Sequence, residues 1–289
     1  MVKLIRSMRP KQWVKNLFIF APLVFAEQLF VTQYVLKGCA AFFCFCLLTG
    51  CVYIINDIMD LEKDRMHPVK RFRPLASGQV KASSAQAFAV LLFLISISLA
   101  FYLNIYFGVI SCVYFLLNVA YSFHLKNIVI VDVFIVASGF FLRVLGGAEV
   151  IDVQVSSWLL VCTILLALFL AFSKRRHELV ILEHEAEQHR KILAEYSPYF
   201  LDQMISVVTA SMVVCYLLYT IAEETVMKFG TRTLIVTVPF VLYGIFRYLY
   251  LVHQKEGGGN PTTELLSDLP LMINMALWII TAGLIIYLY

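Results

Sequence analysis

The chain has 289 residues, of which 61% are apolar, 14% aromatic and only 15% charged, and its mean hydropathy is +0.83. Soluble domains carry about 45–50% apolar and about 25% charged residues, so a water-soluble globule, a disordered chain and a secreted disulfide scaffold are excluded. The net charge of +4 acquires meaning only from where the 23 basic residues fall.

About 20 consecutive apolar residues make one membrane-spanning helix. By that measure the chain predicts an all-α integral membrane protein with about nine transmembrane helices, at about 17–33, 36–56, 83–103, 105–123, 128–147, 155–173, 200–222, 232–252 and 270–288. A transmembrane barrel would show short alternating segments instead of these unbroken runs. Residues 1–16 read as a basic, amphipathic start lying on the membrane surface, with Trp13 as its anchor, and no signal peptide is expected. The first span is the weakest, because it contains Pro22 and Glu27. All seven cysteines fall within apolar runs, which predicts packed thiols and neither bridges nor zinc ligands. Residues 57–82 and 174–199 are expected as cytoplasmic loops, and 1–289 as a single membrane domain. Most of the basic residues then lie on one side, which puts the N-terminus in the cytoplasm of a multi-pass protein of the cell (inner) membrane. Arg143 and Arg247, near span ends, are expected to snorkel to the interface. Asp132, just inside the fifth span, is expected at shallow depth.

The inner end of the second span reads Asn56-Asp57-Ile58-Met59-Asp60-Leu61-Glu62-Lys63-Asp64-Arg65. At 100° per residue, Asp57, Asp60 and Asp64 fall at about 0°, 300° and 340°, on one narrow face, while Glu62 falls at about 140°. Three carboxylates there repel one another unless a cation sits among them, and an all-oxygen donor set suits Mg²⁺. Acidic groups also oppose the dipole at a helix C-terminus, so they point to a metal more than to a solvated helix end. Arg65, His67, Lys70, Arg71 and Arg73 follow, with Pro68 and Pro74 stiffening the loop. A metal beside several guanidinium and ammonium groups is what a diphosphate requires. His67 reads as a hydrogen-bonding loop residue, not a base. Tyr121 and Lys126, where the fourth span ends, can add a hydroxyl and an ammonium. Lys174, Arg175, Arg176 and Glu178 form a basic pole at the inner end of the sixth span, in which Lys174 and Glu178 also make an i, i+4 pair.

The run Asn56–Asp64 resembles the NDxxDxxxD signature of the UbiA-type prenyltransferase superfamily. Arg9-Pro10-Lys11-Gln12-Trp13-Val14-Lys15-Asn16, the Asp64–Gly78 loop, Tyr121-Ser122-x-x-Leu125-Lys126, Ser173-Lys174-Arg175-Arg176-x-Glu178-Leu179 and Glu256-Gly257-Gly258-Gly259 resemble its decaprenyl-phosphate phosphoribosyltransferase branch. Conventional prenyltransferases of the superfamily carry a second acidic motif, DxxxD, where this chain has its basic pole. The resemblance implies a UbiA-type bundle with Mg²⁺ on Asp57, Asp60 and Asp64. It further implies a substrate site that includes Lys15, Asn16, Asn56, Arg65, His67, Lys70, Arg71, Arg73, Tyr121, Lys126, Lys174, Arg175 and Glu178, facing the cytoplasm.

The implied reaction moves the 5-phosphoribosyl group of phosphoribosyl pyrophosphate to a polyprenyl phosphate and releases diphosphate. Such a step leads toward lipid-linked ribose or arabinose donors for cell-wall polysaccharide. The alternative on the same fold is prenyl transfer from a prenyl diphosphate to an aromatic acceptor. A transporter, the reading from another class, would gather its ionisable residues near the bilayer midplane, whereas these gather at the inner interface. Nucleic acid is not expected as a partner, and a homo-oligomer is compatible with the composition.

Overall fold

The computed structural model describes residues 2–182, 191–255, 259, 264–265 and 267–288. The run 183–190 and Glu256–Gly258, both singled out in the sequence, therefore lie outside the described residues. Among the described residues, eight helices are long and apolar enough to cross a membrane. The chain groups into two compact units, 1–155 and 156–289.

In the first unit, a short helix α1 (Val2–Ser7) leads into a 3-10 segment (Pro10–Phe20) and α2 (Ala21–Phe25). The long helices are α3 (Thr32–Met59), α5 (Ala82–Leu103), α6 (Ile105–Phe123) and α7 (Val131–Ile151), with α4 (Leu61–Met66) following α3 directly. The expected first span is thus a broken segment. Pro22 has no N–H to extend the preceding turn, so a new helix begins around it, and Glu27 at φ 60° then turns the chain. The helix α3 is apolar around its whole circumference and forms the centre of the unit, with Cys44, Phe45, Leu48 and Ile54 fully enclosed. α5 instead exposes Val90, Leu91, Leu94 and Ile95, a face whose solvent is lipid. All seven cysteines are free thiols. Cys44 and Cys51 donate across the helix contact to the carbonyls of Ser96 (3.0 Å) and Ala89 (3.2 Å) on α5. Asn104 caps α6 by accepting the amides of Tyr106 and Phe107.

The second unit holds α8 (Ser157–Leu182), α9 (Pro198–Ile221), α10 (Glu223–Phe229), α11 (Val238–Gln254) and α12 (Leu269–Leu288). α8 runs past residue 173, where a loop was expected, so Lys174–Glu178 occupies its last turns. Charge pairs at i, i+3 and i, i+4 within that stretch favour continued helix. Elsewhere polar side chains join the helices: Trp278 Nε1 donates to Tyr216 Oη (2.8 Å), which shares a hydrogen bond with Thr237 Oγ1 (2.7 Å). Asn274 donates to the Phe240 carbonyl.

A backbone contact fixes the N-terminal segment against α7. The Ile19 carbonyl lies directly over the Cα of Gly147, and a methyl group on Gly147 would collide with that oxygen. Backbone cannot yield as a flexible side chain does, so Gly147→Ala is expected to cost about 1–3 kcal/mol. Thermal unfolding in detergent checks this, and Gly283→Ala, which meets nothing within 4 Å, serves as the control.

Candidate active site

The site in the first unit is built where α3 ends. Asp60 leaves helical geometry (φ −94°, ψ 10°), and the chain resumes as α4. The break separates the three acids that share one face on a continuous helix. Asp57 and Asp64, nearest in angle, converge and are buried at 2% and 3% exposure. Asp60 turns away and accepts from Lys126 Nζ at 2.7 Å, tying the α6–α7 connection to the end of α3. Glu62 is exposed and pairs with Arg65 at 2.8 Å, away from the buried acids.

Two arginines occupy the ground between the buried acids. Arg73 Nη1 donates to Asp64 Oδ2 (2.5 Å) and to Asp57 Oδ1 (3.1 Å), and Arg9 Nη2 pairs with the same Asp57 oxygen. Arg9 adopts a left-handed conformation (φ 53°, ψ 64°) just before Pro10, at a cost of about 1–2 kcal/mol. The ion pair and the stacking of its guanidinium 4.8 Å from the Tyr53 ring offset that cost. Met8, packed on Gly50, holds the segment behind it. Arg73 is placed by a folded loop: Ser77 Oγ donates to the Arg73 carbonyl (2.8 Å), Gly78 takes φ +74°, and Leu75 and Val80 bury into the core. His67 Nδ1 accepts the amides of Val69 (3.1 Å) and Lys70 (3.3 Å), the loop-forming role its sequence setting suggests.

A cavity of about 300 Å³ opens at this point, walled by Arg6, Arg9, Lys70, Arg73, Phe72 and Asp57, among others. Four cationic side chains around one carboxylate favour an anion, and the volume lies at the lower end for small-ligand sites. Of the residues proposed from sequence, Asp57, Lys70 and Arg73 line this cavity, Asp64 stands behind Arg73, and Lys126 pairs with Asp60 outside the cavity wall. Arg65 pairs outward with Glu62, and Arg71 lies over the Phe72 ring (4.9 Å). Lys15, Asn56 and Tyr121 are half-buried and outside the cavity wall.

Asn16 is enclosed at 1% exposure and serves a different purpose. Its amide donates toward Cys46 Sγ and Thr49 Oγ1, and its oxygen accepts from Arg143 Nε at 2.8 Å. Arg143 does not snorkel. It is 5% exposed, donates also to the Gly139 carbonyl (2.7 Å) and Tyr114 Oη (2.9 Å), and lies over the rings of Tyr114, Phe140 and Phe45. Tyr114 sits at the midpoint of α6, so this cation is held deep, with no carboxylate partner among the described residues. Asp132 lies in the first turn of α7, near the span end as expected, and is fully buried.

In the second unit, Arg175 is buried and donates to Glu178 Oε2 at 2.5 Å, while the more exposed Lys174 lies 3.7 Å from Glu178 Oε1. Arg176 binds Asp202 at 2.5 Å and so joins α8 to α9. Arg247 grips Asp268, just before α12, through two hydrogen bonds (3.1 and 2.8 Å). Asp268 also caps α12 by accepting the Leu271 amide. Sequence reading passed over Arg6 and Arg9 as site residues and mistook Arg143.

The sequence relationships agree with the geometry. Residues 17–287 match the UbiA prenyltransferase family. The chain belongs to that family. It is 34% identical to the decaprenyl-phosphate phosphoribosyltransferase of Mycolicibacterium smegmatis, over 98% of this chain and 92% of that one. It is 32% identical to the protein of the same name from Corynebacterium glutamicum, over 99% and 87%. Among solved structures, a UbiA homolog from Archaeoglobus fulgidus bound to GPP and Mg²⁺ superposes with a TM-score of 0.73, at 18% identity over 99% of this chain and all of that one. The UbiA fold is therefore shared, and the protein is a multi-pass membrane protein.

Two stability tests follow. Arg143→Ala strands three acceptors, each bonded to a charged donor worth about 1.5–3 kcal/mol, so unfolding in detergent should show a loss of at least about 3 kcal/mol. Arg143→Lys should recover only part of it, since one ammonium cannot reach all three. For Asp268, the Arg247 hydrogen bonds hold the carboxyl below its usual range, with the Leu271 amide acting in the same sense. Its contribution to stability is present above the ordinary Asp value of about 3.9 and is lost as the pH falls through the lowered one. Asp268→Asn should therefore melt below wild type at pH 7, and the gap should close under acid.

Proposed function

We propose that this UbiA-family protein transfers the 5-phosphoribosyl group of phosphoribosyl pyrophosphate to a polyprenyl phosphate at the cytoplasmic face of the membrane, releasing diphosphate. The observation that carries the reading is the cationic cavity over the buried Asp57–Asp64 pair. Near-full-length similarity to two proteins named as decaprenyl-phosphate phosphoribosyltransferases supports the choice of substrates.

Among the described residues no group of three His, Cys, Asp or Glu side chains converges to hold a metal. Two carboxylates suffice for Mg²⁺, which binds through one or two carboxylates, waters and substrate phosphates. Asp57 and Asp64, buried and convergent, fit that donor set and would hold the ion; Asp60 acts from outside it by positioning Lys126. When bound, Mg²⁺ supplies charge neutralisation to the diphosphate leaving group. The chain does the rest. Arg6, Arg9, Lys70 and Arg73 bind phosphate oxygens, the arginines through two-pronged contacts. The folded 73–80 loop keeps Arg73 fixed, which lowers the ordering cost of binding. Lys174 and Arg175 are assigned to a substrate phosphate, with Glu178 orienting Arg175. The acceptor is already ionised at neutral pH, so no general base is required, and none is assigned. Attack in line with the departing diphosphate inverts the anomeric carbon from α to β.

The deciding experiment incubates purified protein with labelled phosphoribosyl pyrophosphate, polyprenyl phosphate and Mg²⁺ and scores label in the organic phase. A parallel reaction offers a prenyl diphosphate and an aromatic acceptor. Label in the first and none in the second is expected, and the reverse would replace the assignment with prenyl transfer. Asp57→Ala and Asp64→Ala should abolish the first reaction, and excess chelator should stop it reversibly. Lys174→Ala and Arg175→Ala should each weaken it about 10- to 150-fold, the range for one charge-assisted contact. Glu62→Ala should remain active.

A further inference from the structure

Asp57 and Asp64 carry two negative charges into a site where each is 97% or more enclosed. Arg9 and Arg73 return two positive charges, and among the described residues neither carboxylate has another ion pair. The cluster is therefore neutral as it stands. A divalent cation entering alone would raise the buried charge to +2, which is costly at low dielectric. A divalent cation entering with a diphosphate brings the anion that the freed guanidinium groups need. Both arginines already line the cavity that the anion would fill.

We propose that Arg9 and Arg73 are exchangeable counterions: they neutralise Asp57 and Asp64 when no metal is bound, Arg73 bridging the two, and they transfer to phosphate oxygens when metal and diphosphate arrive together. The proposal rests on the assignment of a metal–diphosphate site above and adds to it a coupling. The clamp competes with metal alone and cooperates with metal plus anion, so the site is charged by the complex and not by the free ion. Arg73, which bridges both acids, is the stronger competitor; Arg9 touches only Asp57.

The test uses the full chain in detergent with Mn²⁺ as the metal probe, free Mn²⁺ being followed by its EPR signal in the absence of any phosphate. Arg73→Gln should bind Mn²⁺ at least about tenfold more tightly than wild type, since a competing charge-assisted contact has gone. Arg9→Gln should show a smaller gain, and Arg73→Lys, which keeps the charge, should stay near wild type. Asp57→Asn should lose the binding. Equal or weaker Mn²⁺ affinity in Arg73→Gln overturns the proposal, because it makes the arginine a scaffold and not a competitor.

Melting temperature gives a second, independent readout. With chelator present, Arg73→Gln should melt below wild type, and Mn²⁺ should restore most of the difference; no restoration also overturns the exchange. If Arg73→Gln does not fold, Arg9→Gln carries both measurements under the same criteria. Should the variants gain Mn²⁺ affinity while wild type transfers no phosphoribosyl group, the clamp stands and the proposed reaction falls. Should transfer succeed with unchanged Mn²⁺ affinity in the variants, the reaction stands and the clamp falls.

Discussion

Two carboxylates buried at the end of an apolar helix set the terms for the rest of the first unit. Removing an ion from water costs several kcal/mol even after relaxation, and Asp57 and Asp64 are almost wholly enclosed. The chain meets that demand from two directions. The N-terminal segment delivers Arg9, and the loop after α4 delivers Arg73. Each delivery needs its own scaffold. Met8 fits against Gly50, while Leu75 and Val80 enter the core beside Cys51 and Ile54. A connection that would otherwise be solvent-facing thus becomes part of the packed structure, and its cations acquire fixed positions.

Arg143 presents the same problem with the opposite sign and a different answer. It is balanced by no described acid but is bonded to the oxygens of Asn16, Tyr114 and Gly139, and aromatic faces cover it. Its neutral partners come from three separate segments: the 3-10 stretch, α6 and α7. Together with the Ile19–Gly147 contact, this cage fixes the 3-10 segment, and through it the point from which Arg9 reaches Asp57. The deep arginine therefore anchors the 3-10 segment that follows directly on Arg9.

Much of this was legible in the sequence. Hydropathy located eight continuous spans, because length and apolarity are local properties. The acidic signature, the stiffened loop and the branch motifs located the cationic site and its family. What escaped depended on long-range geometry. Helical angles put Asp60 with Asp57 and Asp64, but the break at Asp60 frees its side chain for Lys126, 66 positions away. Arg143 read as a snorkelling residue because the sequence cannot show that Asn16, 127 positions distant, supplies an acceptor. The end of α8 read as a loop because charge density resembles loop composition, whereas pairing along the helix keeps it ordered. Arg9 looked like one basic residue among several in an interfacial start, and only its contact with Asp57 distinguishes it.

Partner chemistry separates a fixed cation from an exchangeable one. Arg143 binds neutral oxygens, and no incoming cation can take those acceptors with comparable gain, so its arrangement is suited to permanence. Arg9 and Arg73 bind carboxylates, which a divalent ion can claim outright. A buried ion pair contributes little net stability relative to a well-packed apolar replacement, so the four-residue cluster is poorly explained as a device for holding α3, α4 and the loop together. Leu75, Val80 and Met8 already supply apolar packing there. Under the proposed function the cost has a purpose: the carboxylates would be kept ready for a metal, and the guanidinium groups stored at the wall of the cavity where a diphosphate would need them. On that proposal the same unit contains one arginine that stabilises the scaffold and two whose bonds would be broken in use.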